Sequence, residues 1–118
     1  MLRAALLAAC LVLTTTAQAP NFAHLGRQAV SELASGQFAA VEKQFEPQFA
    51  ATTSEQLLEV AWMHLGVTLG HFIKITNTVA DPYHGQQLVV VTCQMQKGAL
   101  EVQWTFDAQG RISDLHFH

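Results

Sequence analysis

The sequence predicts an α+β domain in which N-terminal helices pack on one side of a curved antiparallel β-sheet. Two patterns predict this fold class. Up to about residue 70, apolar residues recur every three or four positions, which is the period of helices. Beyond that point they alternate with polar residues between short turn signals, which is typical of consecutive strands in a meander.

Residues 1–19 have the layout of a secretory signal peptide. Arg3 precedes the apolar run Ala4–Leu13, and small and polar residues follow the run. The run is too short to cross a bilayer as a helix, which takes about 20 apolar residues. Residues 20–118 are therefore expected to form a single exported domain, periplasmic or secreted.

Three processing sites are open. Cleavage after Ala19 follows an A-x-A pattern but leaves Pro20 directly after the cut, and cleavage after Ala17 avoids this. The segment Leu7–Cys10, "LAAC", has the form of a lipobox, which would place a lipid on Cys10. Its apolar core would be short, and further apolar residues rather than a polar tether follow the cysteine, so lipidation is the minor alternative.

Charge and cysteine content argue against nucleic-acid binding and against an internal disulfide. The chain has 6 Lys and Arg against 9 Asp and Glu, a net charge of −3, and its basic residues are isolated from one another. Nucleic-acid binding is therefore not expected. After residue 19 the sequence has one cysteine, Cys93, so a cleaved chain forms no internal disulfide.

Three helices are expected before the strands. The first occupies residues 20–34 and is capped at its C-terminal end by Gly36. A short second helix is ended by Pro47. The third and longest begins at the capping-box pattern Thr52–Glu55 and ends at Gly70. The apolar stripes are Phe22, Leu25, Ala29 and Leu33 in the first helix, Phe38, Val41 and Phe45 in the second, and Leu58, Trp62, Leu65 and Leu69 in the third.

Four strands are expected after the helices. The first covers residues 72–80 and leads into a loop at 81–85, and the second covers residues 86–96. The third follows a turn at Lys97 and Gly98, and the last covers residues 111–118. The apolar faces are Val89, Val91, Cys93 and Met95 in the second strand, Leu100, Val102, Trp104 and Phe106 in the third, and Leu115 and Phe117 in the fourth.

The apolar face of the sheet has two interpretations. Its expected partner is the stripe of the longest helix, and full contact between the two would make a core. A gap between them would make a pocket for a hydrophobic ligand. The predicted lining of such a pocket is Trp62, Leu65, Leu69, Val91, Cys93, Trp104 and Phe106.

Three short motifs carry a family resemblance: Gly36–Phe38, Trp62 followed by Gly70–Phe72, and Phe106–Ile112 with the form F-D-x-x-G-R-I. They resemble a small bacterial domain of unknown function, found alone after a signal peptide or upstream of α/β-hydrolase or peptidase domains. That domain belongs with the nuclear-transport-factor-2-like, cystatin-like superfamily. The resemblance covers about residues 22 to 118 and implies a cone-shaped fold with a cavity between helix and sheet. It implies no catalytic residues.

Few residues suggest chemistry. Cys93 has apolar neighbours and is expected to be a small core residue rather than a nucleophile. His116 and His118 share a strand face, but two ligands do not make a zinc site, and no metal is expected. One compact polar cluster is worth testing, although a turn also explains it: Asp81, Tyr83 and His84.

The sequence therefore favours a secreted, non-catalytic domain that binds a small apolar ligand or a partner protein, as a monomer or as a homodimer. The alternative is a small enzyme of the same fold that works from Asp81, Tyr83 and His84. It would be lyase- or isomerase-like, or accessory to hydrolysis. No cofactor and no membrane span are expected.

Export generates the first testable prediction. The purified exported protein should begin at Gln18 or Pro20, because a polar region follows the apolar run. Amino-terminal sequencing or the intact mass decides between them. A mature chain that begins at a lipid-modified Cys10 would contradict this prediction and place the protein on a membrane.

Overall fold

The structure, a computed structural model, describes residues 20–118, and the predicted signal peptide with Cys10 lies outside the described residues. Helices come first: α1 (Phe22–Ala34), α2 (Phe38–Glu42), α3 (Pro47–Thr52) and α4 (Glu55–Leu69). Strands follow: β1 (Phe72–Tyr83), β2 (Gln86–Met95), β3 (Gly98–Phe106) and β4 (Ile112–Phe117). The strands form one antiparallel sheet in the order β1-β2-β3-β4, which confirms the predicted α+β class.

Side chains at the helix starts satisfy backbone donors. The Asn21 side chain accepts a hydrogen bond from the backbone N–H of His24 at the start of α1. Ser54 does the same for Leu57, so α4 begins one residue after Ser54 rather than at the capping box predicted from Thr52. Gly70 ends α4 as predicted, with a φ of 79°.

Helix α3 was not expected from the sequence, because Pro47 was interpreted only as the end of a helix. Pro47 is instead the first residue of α3, where its missing N–H costs no hydrogen bond. The Glu46 side chain caps this helix by accepting from the N–H of Phe49. Phe45 lies just before it and bridges to Ile112 of β4, so this segment runs along the β4 edge of the sheet.

The predicted loop at 81–85 is wrong in its extent. Strand β1 continues through Tyr83, and only His84 and Gly85 turn the chain. Both have positive φ, 50° and 78°, which matches the turn that joins strands in a two-residue hairpin. Pro82 is tolerated in β1 because β1 is an edge strand, where a missing N–H need not break a ladder.

The helix that lies across the sheet is α1, which contacts β1, β2 and β3. Gly26 permits this close approach: a Cβ at that position would stand 2.6 Å from a Cγ of Val89 and 3.3 Å from a Cγ of Val91. The expectation that the longest helix covers the apolar row of β3 is therefore wrong. Periodicity identified the apolar face of each helix but not which helix lies at the centre.

Helix α4 reaches the sheet only near its rim. The ring of Trp62 lies 6.3 Å from the ring of Phe117 on β4. Leu69 lies beside Gly98 at the β2–β3 turn, 3.5 Å from where a Cβ would stand. Of the predicted α4 stripe, only Leu58 is fully buried.

Two glycine substitutions should separate helix propensity from packing. Alanine at either Gly26 or Gly66 adds about 1 kcal/mol of helix propensity. At Gly66 a Cβ meets no described atom within 4 Å, so Gly66→Ala should stabilise the fold. Gly26→Ala should leave it less stable than Gly66→Ala by about 1–3 kcal/mol, because the Cβ overpacks against Val89.

The free energy of unfolding in urea, followed by circular dichroism, measures this difference. Equal stabilisation by both substitutions would show that α1 does not approach β2 as closely as described.

Candidate functional site

The residues predicted to line a pocket fall into two groups. The strand residues Val91, Cys93, Trp104 and Phe106 are completely buried. They join Ala29, Val30 and Leu33 of α1 in one hydrophobic core. The helix residues of the predicted pocket are only half-buried and lie at the border of this core: Trp62, Leu65 and Leu69.

Trp104 lies in the middle of the core face of the sheet. It pairs with Val89 on one side and with Leu115 on the other, and its ring lies 6.5 Å from that of Phe106. Its indole N–H is buried and has no hydrogen-bond partner among residues 20–118. A buried donor that lacks an acceptor costs about 1–3 kcal/mol of stability. The side chains around Trp104 are therefore apolar and offer its N–H no acceptor among residues 20–118.

Cys93 has the environment of a core residue rather than of a nucleophile. It is fully buried, and its Sγ lies 3.9 Å from the carbonyl oxygen of Val91. Burial raises the pKa of the Cys93 thiol to about 11. The thiol is therefore protonated near neutral pH, whereas a nucleophilic cysteine requires the thiolate.

An apolar groove opens beside the core, between β4 and the helices α3 and α4. It has a volume of about 260 Å³. It is lined by Phe49 and Thr53 from the α3 side, by Leu57, Leu58 and Ala61 from α4, and by Leu115 and Phe117 from β4. The groove was not predicted from the sequence, because the groove depends on helix α3, which was not expected. Two of its lining residues, Leu115 and Phe117, were predicted to lie on the core face of the sheet.

The backbone of β4 contributes polar groups at this edge. Glu101 and His118 exchange two backbone hydrogen bonds of 2.9 Å, which makes them a hydrogen-bonded pair of the β3–β4 ladder. Such pairs alternate with non-hydrogen-bonded ones, so Leu115 and Phe117 direct their N–H and C=O groups away from β3. The Leu115 N–H donates to its neighbour's side chain, the Oδ1 of Asp114, at 2.9 Å.

The predicted polar cluster lies at the tip of the β1–β2 hairpin. Asp81, Tyr83 and His84 are all exposed. Asp81 pairs with Leu88 and Tyr83 with Gln86, which places both on the face of the sheet opposite the core. The rings of Tyr83 and His84 lie 4.4 Å apart.

Tyr83 also lines a polar groove on that outer face. The groove has a volume of about 320 Å³. Its other lining residues are Glu46, Gln48, Gln86, Thr105, Ser113 and Asp114. Asp81 and His84 are not part of this lining, so the three predicted residues are neighbours at the hairpin tip but do not line this groove together.

A model of a family described as "Protein of unknown function (DUF3887)" matches residues 27–115, more than half of the chain. The chain belongs to the DUF3887 family. The expected resemblance to a domain of unknown function is thereby confirmed. No significant match was found among curated proteins or among solved structures.

The F-D-x-x-G-R-I motif of this DUF3887 domain is a structural turn. The Asp107 carboxylate accepts hydrogen bonds from the backbone N–H groups of Gln109 and Arg111, at 3.0 and 2.9 Å. Its other oxygen lies 2.9 Å from the Nε of Arg111. Desolvation pushes the pKa of Asp107 upward, but the contacts with Arg111 and Gln109 outweigh it and hold that pKa below its usual value. The motif therefore joins β3 to β4.

His116 and His118, which follow the residues matched by the family model, lie close to one acid and to each other. The Nε2 of His116 lies 3.0 Å from the Oδ2 of Asp114, and the rings of His116 and His118 lie 6.3 Å apart. Among residues 20–118, no three His, Cys, Asp or Glu side chains come close enough to hold a metal ion. In the same part of the chain, no helix is long and apolar enough to span a membrane.

Proposed function

We propose that this DUF3887 domain is a non-catalytic binding domain that takes a small apolar ligand in the groove between α3, α4 and β4. The observation that carries the proposal is the contrast between this groove and the core. The central strand residues of the predicted pocket are packed against α1, whereas the groove is open and lined almost entirely by apolar side chains. Ligand pockets combine such a lining with a few polar groups that fix orientation.

The size of the groove limits the ligand. Its volume of about 260 Å³ corresponds to about nine water molecules in the liquid. That suits a short alkyl chain or a single aromatic ring better than a drug-sized molecule, whose pockets have volumes of about 300–1,000 Å³. At the β4 edge, the Phe117 N–H supplies a donor, and the carbonyl groups of Leu115 and Phe117 supply acceptors, for one polar end of the ligand.

Trp62 gives this proposal a direct readout. Its ring contacts Phe117, which lines the groove, so a ligand beside Phe117 changes the environment of the indole. Titration of medium-chain fatty acids and small aromatic compounds should shift the tryptophan emission of the purified protein. Trp104 is fully buried and does not line the groove.

A matched pair of substitutions tests the location. Ala61→Leu places a larger side chain in the groove and should weaken binding at least about tenfold, equivalent to about 1.4 kcal/mol. Ala51→Leu makes the same change on the exposed surface of α3 and should leave the affinity unchanged. Equal affinity in both variants, or no emission change with any apolar compound, would contradict the proposal.

A small enzyme is the second candidate, because Tyr83 lines the polar groove together with the carboxylates of Glu46 and Asp114. It ranks second because Tyr83 is exposed and the neighbouring Asp81 and His84 do not line that groove. A substrate turned over by the wild-type protein but not by a folded Tyr83→Phe variant would favour the enzyme.

Export and superfamily membership are part of the proposal. The leader pattern of residues 1–19 supports delivery to the periplasm or the medium. The order of helices before an antiparallel meander supports a relation to the nuclear-transport-factor-2-like superfamily. So do the register shifts in β1 and between β3 and β4, since such shifts bend a sheet.

A further inference from the structure

Phe117 presents two free backbone groups at the edge of β4. It lies opposite Val102 of β3 in a non-hydrogen-bonded pair, so its N–H and C=O point away from β3. No hydrogen bond joins them to another group among residues 20–118. Such groups on an edge strand can pair with the backbone of an added strand.

Leu115, two residues earlier, presents an acceptor only. Its C=O is directed outward like that of Phe117, but its N–H already donates to the Oδ1 of Asp114 at 2.9 Å. The free groups of this edge are therefore the N–H of Phe117 and the carbonyl groups of Leu115 and Phe117. A ligand that satisfies all of them must supply two donors and one acceptor.

The same edge already binds an extended backbone segment at its other end. The N–H of Ile112 donates to the C=O of Gln44 at 2.7 Å, and the C=O of Ile112 accepts from the N–H of Glu46 at 2.8 Å. That segment leaves the edge at Pro47, where α3 begins. The β4 edge thus pairs with backbone up to α3, and Leu115 and Phe117 continue the edge beyond it.

The apolar groove distinguishes this edge from an ordinary edge strand. Unpaired backbone groups alone do not identify a ligand, but here they adjoin a groove that the side chains of Leu115 and Phe117 line. In an antiparallel pair, the side chains of directly opposed residues lie on the same face. A peptide residue opposite Phe117 therefore directs its side chain into the groove while its backbone meets the free groups.

We propose that the ligand of the apolar groove is a short extended peptide that adds to β4 as an antiparallel strand, with an apolar side chain opposite Phe117. This inference rests on the proposed function and names the class of ligand for that groove. The residue opposite Phe117 exchanges two hydrogen bonds with it, and the residue two positions later donates to the C=O of Leu115. Backbone bonds then supply affinity, and the groove supplies selectivity.

Other apolar compounds match fewer of the free groups. A fatty-acid carboxylate only accepts hydrogen bonds, so it can pair with the N–H of Phe117 but leaves the carbonyl groups of Leu115 and Phe117 without a donor. A peptide residue carries one donor and one acceptor. We therefore expect a peptide to bind more tightly than a fatty acid with the same apolar group.

The tripeptide N-acetyl-Leu-Ser-Ala-amide is the probe. Side chains alternate along a strand, so its leucine enters the groove opposite Phe117, its serine faces the other side of the sheet, and its alanine lies opposite Leu115. Titration into the purified exported protein, followed by the emission of Trp62, should show binding at least about tenfold tighter than that of 4-methylpentanoic acid. That acid carries the same isobutyl group as leucine.

N-methylation of the tripeptide tests the backbone pairing. A methyl group on the leucine nitrogen removes the donor for the C=O of Phe117 and should weaken binding at least about tenfold. A methyl group on the serine nitrogen is the matched control, because that N–H points away from β4 and its loss should leave the affinity unchanged. All three peptides have the same side chains.

Two further measurements locate the peptide. Hydrogen exchange of the Phe117 amide, followed by nuclear magnetic resonance, should slow when the tripeptide binds. Ala61→Leu should weaken tripeptide binding, and Ala51→Leu should not.

Three results would overturn this inference: equal affinity for the tripeptide and 4-methylpentanoic acid, equal effects of the two methyl groups, or no slowing of exchange at Phe117. The proposed function would survive each of these if apolar compounds still bind and Ala61→Leu still weakens them. A protein whose Trp62 emission responds to neither peptides nor apolar compounds would overturn both.

Discussion

The close contact of α1 with β2 determines how the other elements are arranged. Gly26 lets the α1 backbone approach Val89 and Val91, and Ala29, Val30 and Leu33 then fill the inner face of the sheet. With that face occupied, the long helix α4 lies at the rim of the sheet, near Phe117 and the β2–β3 turn. The core is therefore centred on α1, β2 and β3, and it is completed by buried residues from other elements: Val41, Phe45, Leu58 and Ile112.

The position of α4 at the rim of the sheet creates the apolar groove. Its inner side leaves a groove against β4, because α3 and α4 surround the edge of the sheet without filling it. Its outer side exposes Val60 and Val67, which a central helix would bury. The rim position of α4 therefore leaves apolar side chains outside the core on both sides of this helix.

The strands were predictable from the sequence, because strict alternation fixes which side chains share a face. Val91, Cys93, Trp104 and Phe106 all lie in the core, as the alternation indicates. The start of α3 was not predictable from Pro47 alone, since proline both ends helices and begins them.

The choice between α1 and α4 as the central helix was the main error. Both have an apolar stripe, and the period of a stripe does not identify its partner. Each helix also has an interior glycine, Gly26 in α1 and Gly66 in α4, and of these two only Gly26 lies close to the sheet, so glycine content did not identify the central helix either. The groove could not be derived before that choice was known.

The stability of Trp104 variants tests most directly whether the inner face is a filled core. Trp104→Ala should lower the free energy of unfolding by about 3–5 kcal/mol, because it empties a completely buried position. Trp104→Phe should cost clearly less, since it keeps much of the apolar volume and removes the buried N–H that has no partner among residues 20–118. Urea unfolding of the two variants gives both values. A loss below about 1 kcal/mol for Trp104→Ala would contradict the account, because it would mean that Trp104 lines an open pocket instead of the core.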